Sequence, residues 1–356
     1  MPFPAAQTYL KTRASIMARR LFSAEQLERM LHASLDDLAS AFALREIFEN
    51  NPSPALLNRA AERALIHTLM LELAVLLRPL EGSARNILIH WTRKFELYNL
   101  KALIRGKLHQ LPFEQIQSDL YDLPAMIRLP HDKLLRTENI LELLRSLERS
   151  TFADIARQAR QVYEEKNEPF SLDAAIDRSY YIGMLRRVQR ASPTDQHPLL
   201  QLVGTLIDQQ NLIWLLRYRF SYLLSPSESY YLLIPFGRHL RRERLKRLVN
   251  LERLELVIEQ LPEGLRSCME GAQNPLDAER RLALETAVQT RKSLRFSQSA
   301  VTRSLAYLVL REMDLKRLYA LIQGKALKLS EPLIRIAADM PPHSPEQTYP
   351  SGGSRV

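Results

Sequence analysis

Two Gly-Lys pairs, Gly106-Lys107 in "IRGK" and Gly324-Lys325 in "IQGK", are the residues of this 356-residue chain that most invite a chemical reading. Gly-Lys is the end of a phosphate-binding loop, in which backbone N–H groups cradle phosphate and the lysine reaches its oxygens. Such a loop also needs a glycine five residues before its second glycine and a Ser or Thr after the lysine. Here Lys101 and Tyr319 occupy the first position, and Leu108 and Ala326 the second, so the match fails. No G-x-G-x-x-G is present. The histidines (His32, His67, His90, His109, His131, His197, His239 and His343) show no metal-ligand spacing with acids and read as surface or seam residues. Cys268, in "LRSCMEG", has no nucleophile signature, and as the single cysteine it predicts reducing surroundings. The acidic pairs Asp36/Asp37 and Glu164/Glu165 read as solvated helix faces. No catalytic residue, metal or cofactor is expected, and the chain does not read as an enzyme.

The Gly-Lys pairs close a longer phrase. "FELYNLKALIRGK" begins at Phe95, and "MDLKRLYALIQGK" begins at Met313. In register, Glu96, Asn99, Leu100, Leu103 and Lys107 fall on Asp314, Arg317, Leu318, Leu321 and Lys325. A third copy, "DQQNLIWLLRYR", places Asp208, Asn211, Leu212, Leu215 and Arg219 in the same slots. The acids are 112 and then 106 residues apart. At about 100° per residue, the acid, amide, leucines and base of each copy share one helical face, with Arg105 on the opposite side. A face that mixes an acid and an amide with leucines is unusual for plain core, because a buried carboxylate needs partners. Two readings stay open. Glu96, Asn99, Lys107, Asp208, Asn211, Arg219, Asp314, Arg317 and Lys325 hold neighbouring helices together at seams, or they line a socket that grips a partner.

The elements that carry these residues are expected to be helices. Glycine is only 10 of 356 residues, below the usual share of about 7%, and helix formers abound. No strand-like alternation is sustained. The segments leading into the phrases, Arg20–Phe42, Arg128–Phe152 and His239–Leu261, each read as a short helix followed by an amphipathic one. "SAEQ" at Ser23–Gln26 predicts a capping box. The chain therefore predicts an all-α fold of three similar modules, 1–115, 116–228 and 229–340, with a disordered tail over 341–356. The Pro- and Ser-bearing stretches "HQLPFEQIQSDLYDLP" and "SPSESYYLLIPFG" read as linkers. The repeat is too long for a TPR, ankyrin or HEAT unit and suits a pseudo-threefold arrangement.

The net charge is +10, which suits nucleic acid, an anionic membrane face or acidic proteins as partners. The densest basic run, "GRHLRRERLKRL" from Gly237 to Leu248, predicts one amphipathic helix with Leu240, Leu245 and Leu248 inside. Its outward candidates are Arg238, Arg241, Arg242, Arg244, Lys246 and Arg247. "RSYYIGML" and "LLRYRFSYLL" interleave basic and aromatic residues, where Tyr180, Tyr181, Phe220 and Tyr222 read as core rather than as stacking platforms. No apolar run reaches about 18 residues and no signal peptide is evident, so a cytoplasmic, non-spanning protein is expected.

The three phrases, with "YLKTRASIMARRLFSAEQLERML", "PFSLDAAIDRSYYIGML" and "EMDLKRLYALIQGKALKLSEPLIR", resemble the C subunit of A-type and bacterial V-type ATPases, equivalent to the d subunit of eukaryotic V-ATPases. The likeness runs from about residue 8 to 338. Arg317 in place of Asn, and Tyr218-Arg219 in place of Gly-Lys, depart from it. The resemblance implies an all-α funnel of three domains on the cytoplasmic face of the membrane. It implies a non-catalytic rotor component whose partners are the central stalk and the proteolipid ring. No small-molecule substrate is implied. The competing reading from the residues is a basic helical-repeat module that binds nucleic acid.

Overall fold

A computed structural model describes residues 4–51, 53–166 and 168–340. The expected disordered tail lies outside them. Among the described residues every regular element is helical, as the composition and periodicity require. The element order repeats. Three long helices carry the phrases: Gly82–Leu108, Pro193–Leu216 and Ala300–Ala326, here termed the first, second and third signature helices. Each follows another long helix, Pro54–Leu77, Pro169–Gln189 or Pro275–Phe296. Each is followed by a seven-residue helix, Phe113–Asp119, Pro226–Leu232 or Glu331–Ala337.

Short helices fill the leading segments: Ala24–His32 and Leu35–Ala41, then His131–Leu135 and Ile140–Leu147, then Arg242–Val249 and Leu254–Glu259. Helices this short are marginal alone and depend on caps and packing. Ser23 and Gln26 form the predicted capping box, and Ser34 with Asp37 forms another. Asn139 caps Ile140–Leu147 through the Glu142 N–H.

The chain divides into two compact units. One spans 4–21 and 66–312. In it Pro169–Gln189 packs on Gly82–Leu108, Ala153–Lys166 and Pro193–Leu216, and Pro193–Leu216 packs on Pro275–Phe296. Its core joins Leu97, Leu100 and Leu103 of the first signature helix to Leu134, Leu143, Phe152, Leu172 and Ile176. The other unit spans 22–65 and 313–340 and is built on Leu318, Leu321 and Ile322, with Leu27, Leu31 and Ile334 also buried.

Three expectations need correcting. The stretches read as linkers are packed structure, because Ile116, Leu120, Tyr121, Leu232, Leu233 and Ile234 are buried in them. The basic run is not one helix. Gly237–Arg241 is irregular and the helix starts at Arg242, although Leu240, Leu245 and Leu248 are buried as expected. The cause is local: the His239 and Leu240 N–H groups are taken by the Asp208 carboxylate. Of the four aromatics read as core, Tyr180 is buried while Tyr222 is exposed.

Candidate functional site

Each signature helix holds a short helix by both ends. On the first, the buried Glu96 carboxylate accepts from the Leu129 N–H (2.7 Å), from Asn99 Nδ2 (2.9 Å) and from His131 Nε2 (2.6 Å) at the start of His131–Leu135. Eleven residues on, Lys107 Nζ donates to the carbonyls of Leu135 (3.0 Å) and Thr137 at that helix's end. On the second, Asp208 accepts from the N–H groups of His239 (2.8 Å) and Leu240 (3.0 Å), just before Arg242–Val249. Arg219 Nε donates to the Val249 carbonyl (2.7 Å) at its end. On the third, Asp314 accepts from the Phe22 N–H (2.8 Å), before Ala24–His32, and Lys325 donates to the Leu31 carbonyl (2.6 Å). An acid thus sits at the N-terminal side of each short helix and a base at its C-terminal side. That polarity matches the helix macrodipole and satisfies terminal groups that have no partner within the helix.

The amide works between these ends. Asn99 Nδ2 donates to the Tyr121 carbonyl (3.0 Å), and the Tyr121 N–H donates to Asn99 Oδ1 (2.7 Å). Asn211 repeats the pattern on Ile234, giving to its carbonyl (2.9 Å), receiving from its N–H (2.9 Å) and also reaching the Phe236 carbonyl (3.2 Å). Arg317, in the third copy, instead approaches Asp314 at 3.4 Å. Glu96, Asn99, Asp208, Asn211 and Asp314 are each at most 1% exposed.

Burial sets the electrostatics. Desolvation pushes the Asp208 carboxyl up to about 6, against the opposing hydrogen bonds from Leu240 and His239. Gly237 is needed beside it, since a Cβ there would lie 2.0 Å from Asp208 Oδ1. Desolvation also holds the Lys107 and Lys325 ammonium groups below the usual lysine value.

The two Gly-Lys pairs now have a packing cause. A Cβ on Gly106 would lie 2.5 Å from Ile116, and one on Gly324 would lie 2.5 Å from Ile334. Each glycine admits an isoleucine of the seven-residue helix that follows. Both signature helices end alike. The Leu111 N–H bonds the Gly106 carbonyl past Gln110 at φ 52°, and the Leu329 N–H bonds the Gly324 carbonyl past Lys328 at φ 54°. In the second copy, Tyr218 fills the glycine slot and the helix widens into a π-turn over Arg217–Ser221. Its left-handed residue, Leu223, consequently falls one position later.

The basic candidates differ in exposure. Arg241, Arg242, Lys246 and Arg247 are exposed. Arg244 is half-buried and donates to the His239 carbonyl, while Arg238, also half-buried, lies 3.4 Å from Thr205 and Gln289. Sequence reasoning missed a buried charge cluster in which Glu72 receives Arg311, Arg20 and the Tyr307 hydroxyl. It also missed His131 as a partner of Glu96. These residues, Arg20, Glu72, His131, Tyr307 and Arg311, all lie outside the three phrases, so no repeat marked them.

Residues 10–336 match the family described as ATP synthase (C/AC39) subunit. The chain is similar to the C subunit of the A-type ATP synthase of Methanosarcina mazei, 22% identical over 67% of this chain and 66% of the relative, just under two thirds of its length. It is 24% identical to that of Methanocaldococcus jannaschii over 93% of this chain and 86% of the relative. It is 21% identical to that of Methanosarcina acetivorans over 92% and 91% of the two chains. Because the matched family accounts for all three anchored helices, the chain belongs to the ATP synthase (C/AC39) subunit family.

Proposed function

We propose that this chain is the non-catalytic rotor component that joins the central stalk of a rotary A/V-type ATPase to the proteolipid ring, at the inner face of the cell membrane. There it couples ATP hydrolysis or synthesis to proton or sodium transport. The observation that carries the reading is the acid–base anchor repeated on three helices, with an amide between on the first two, in a chain that belongs to this family. A torque coupler does no bond chemistry. It must bind two partners and resist shear between its own helices. Anchors that fix each short helix at both ends supply that stiffness, because buried, fully bonded polar groups are expensive to break.

On this reading the chain is three modules, 1–115, 116–228 and 229–340, arranged about a pseudo-threefold axis. The acids, amides and bases of the signature helices act as seam residues that keep the modules rigid. The stalk is then gripped by other side chains. Exposed Arg241, Arg242, Lys246 and Arg247 face the ring or the anionic lipid around it, where basic residues gain from the surface potential.

The test is co-purification of the full chain with the central stalk proteins from the same source. A stable complex, unaffected by nuclease, is the expected result. Failure to form it, with steeply salt-dependent retention on nucleic acid instead, favours the nucleic-acid module and overturns the rotor reading.

A further inference from the structure

Arg93, Arg157, Arg186, Arg187 and Arg190 crowd two adjoining clefts of about 440 and 360 Å³ that share Arg93, Asp154, Arg186 and Arg187 in their walls. Among the described lining residues Asp154 is the one carboxylate, and it is already shared. Its Oδ1 lies 2.6 Å from Arg157 Nη2 and its Oδ2 lies 3.5 Å from Arg186 Nη1. Arg93 and Arg187 have carbonyls instead, at Thr151 (3.0 Å) and Gly183 (2.9 Å). These carbonyls leave both guanidinium groups without a carboxylate hydrogen bond, and Arg93 Nε is buried with no acceptor.

Burial and the neighbouring Arg187 draw the Arg93 guanidinium down to about 10. Burial, with Arg190 and Arg186 nearby, lowers Arg187 against the pull of Asp154. His90, 3% exposed, lines the same cleft. Its Nε2 bonds the Tyr180 carbonyl at 2.9 Å, and its buried Nδ1 has no partner. Burial and Arg187 push this imidazole down to about 3, so Nδ1 is a lone-pair acceptor at neutral pH. Like charges gathered on Gly82–Leu108, Ala153–Lys166 and Pro169–Gln189 repel one another, and one carboxylate does not offset them.

We propose that this cleft binds a phosphate-bearing anion, held by the guanidinium groups of Arg93, Arg186 and Arg187 with Arg157 and Arg190 as its exposed flank. Guanidinium forks match phosphate oxygens two at a time, and a protonated phosphate oxygen supplies the donor that His90 Nδ1 accepts. The cleft volume is that of a small-molecule site, roughly 300–1,000 Å³. Asp154 occupies the position of an internal competitor. The proposal is independent of the rotor reading, since it requires neither stalk nor ring.

The test is calorimetric titration of the full chain with pyrophosphate, beside flotation with phosphatidate vesicles. Pyrophosphate is expected to bind one per chain. Arg93→Gln with Arg187→Gln should weaken it by about tenfold or more, while Arg291→Gln with Lys292→Gln, exposed elsewhere on the surface, changes it by less than about twofold. Asp154→Asn should tighten it, which cannot follow from misfolding. The Arg93→Gln/Arg187→Gln variant should melt no lower than the parent without anion, because it removes repulsion. Vesicle retention sensitive to these arginines, without pyrophosphate binding, supports the site with a lipid headgroup as the source. Binding of neither probe in an Arg93- and Arg187-dependent manner, or no change on Asp154→Asn, overturns it.

Discussion

Asn99 does with one side chain what a neighbouring strand does with two backbone groups: it gives to the Tyr121 carbonyl and takes from the Tyr121 N–H. Asn211 does the same for Ile234. A leucine or alanine cannot, so Asn99→Ala and Asn211→Ala should each lower unfolding stability by about 2 kcal/mol, read by urea titration. Stalk binding per folded molecule should persist. Unchanged stability with lost stalk binding would return these residues to the socket reading. Asp208 offers a pH test. Its folded value, about 6, lies above the ordinary aspartate value of 3.8, so between those values the native state holds more protons than the unfolded chain. The contribution is present below about pH 4 and is lost as pH rises through about 6, by on the order of 3 kcal/mol. Relative to Asp208→Asn, the parent should therefore lose stability across that window. A difference that stays flat with pH contradicts it.

At the scale of elements, each phrase is a cradle. Its acid and base stand eleven residues apart, which at about 1.5 Å per residue is roughly 16 Å, enough to reach both ends of a short helix lying alongside. The glycine decides what packs next. In Gly106→Ala or Gly324→Ala, the new Cβ meets Ile116 or Ile334 at 2.5 Å. The clash outweighs the gain in helix propensity, so each should cost about 1–2 kcal/mol, measured as a fall in denaturation midpoint. Ile116→Ala should reduce the added cost of Gly106→Ala, because it removes the atoms in collision. Gly264→Ala, with nothing within 4 Å of its Cβ, should be close to neutral. Equal effects at Gly106 and Gly264 would show that the close approach is not what the glycine serves.

For the whole molecule, the anchors and the surface have separate duties. On the proposed reading, buried polar groups set rigidity and exposed arginines set adhesion. Arg241→Glu with Arg242→Glu touches no buried bond, so melting should not change while binding to ring-containing membranes weakens by about tenfold at low salt. The deficit should shrink as salt rises and screens both proteins alike. Membrane binding equal to the parent's at low salt would remove this surface from the proposed ring face.

The amino-acid sequence by itself determined the all-α class, the three signature helices, the Ser23–Gln26 capping box and the family, because helical periodicity, caps and a spaced repeat are local or additive properties of the chain. It also placed Glu96 with Asn99, and Asp208 with Asn211, on one face of each helix. It did not say what those faces meet. The carboxylate of Asp314 finds the Phe22 N–H across 292 residues, and no spacing rule reports such a pairing. The sequence excluded a phosphate loop, but the tertiary structure alone decided that Gly-Lys is a packing notch and a terminal clasp. It also turned Pro-rich "linkers" into packed segments that bury Ile116, Leu232 and Ile234, and brought arginines from three helices into one cleft. Hydrogen-bond partners and like-charge crowding are fixed by distance in space, and only packing sets that distance.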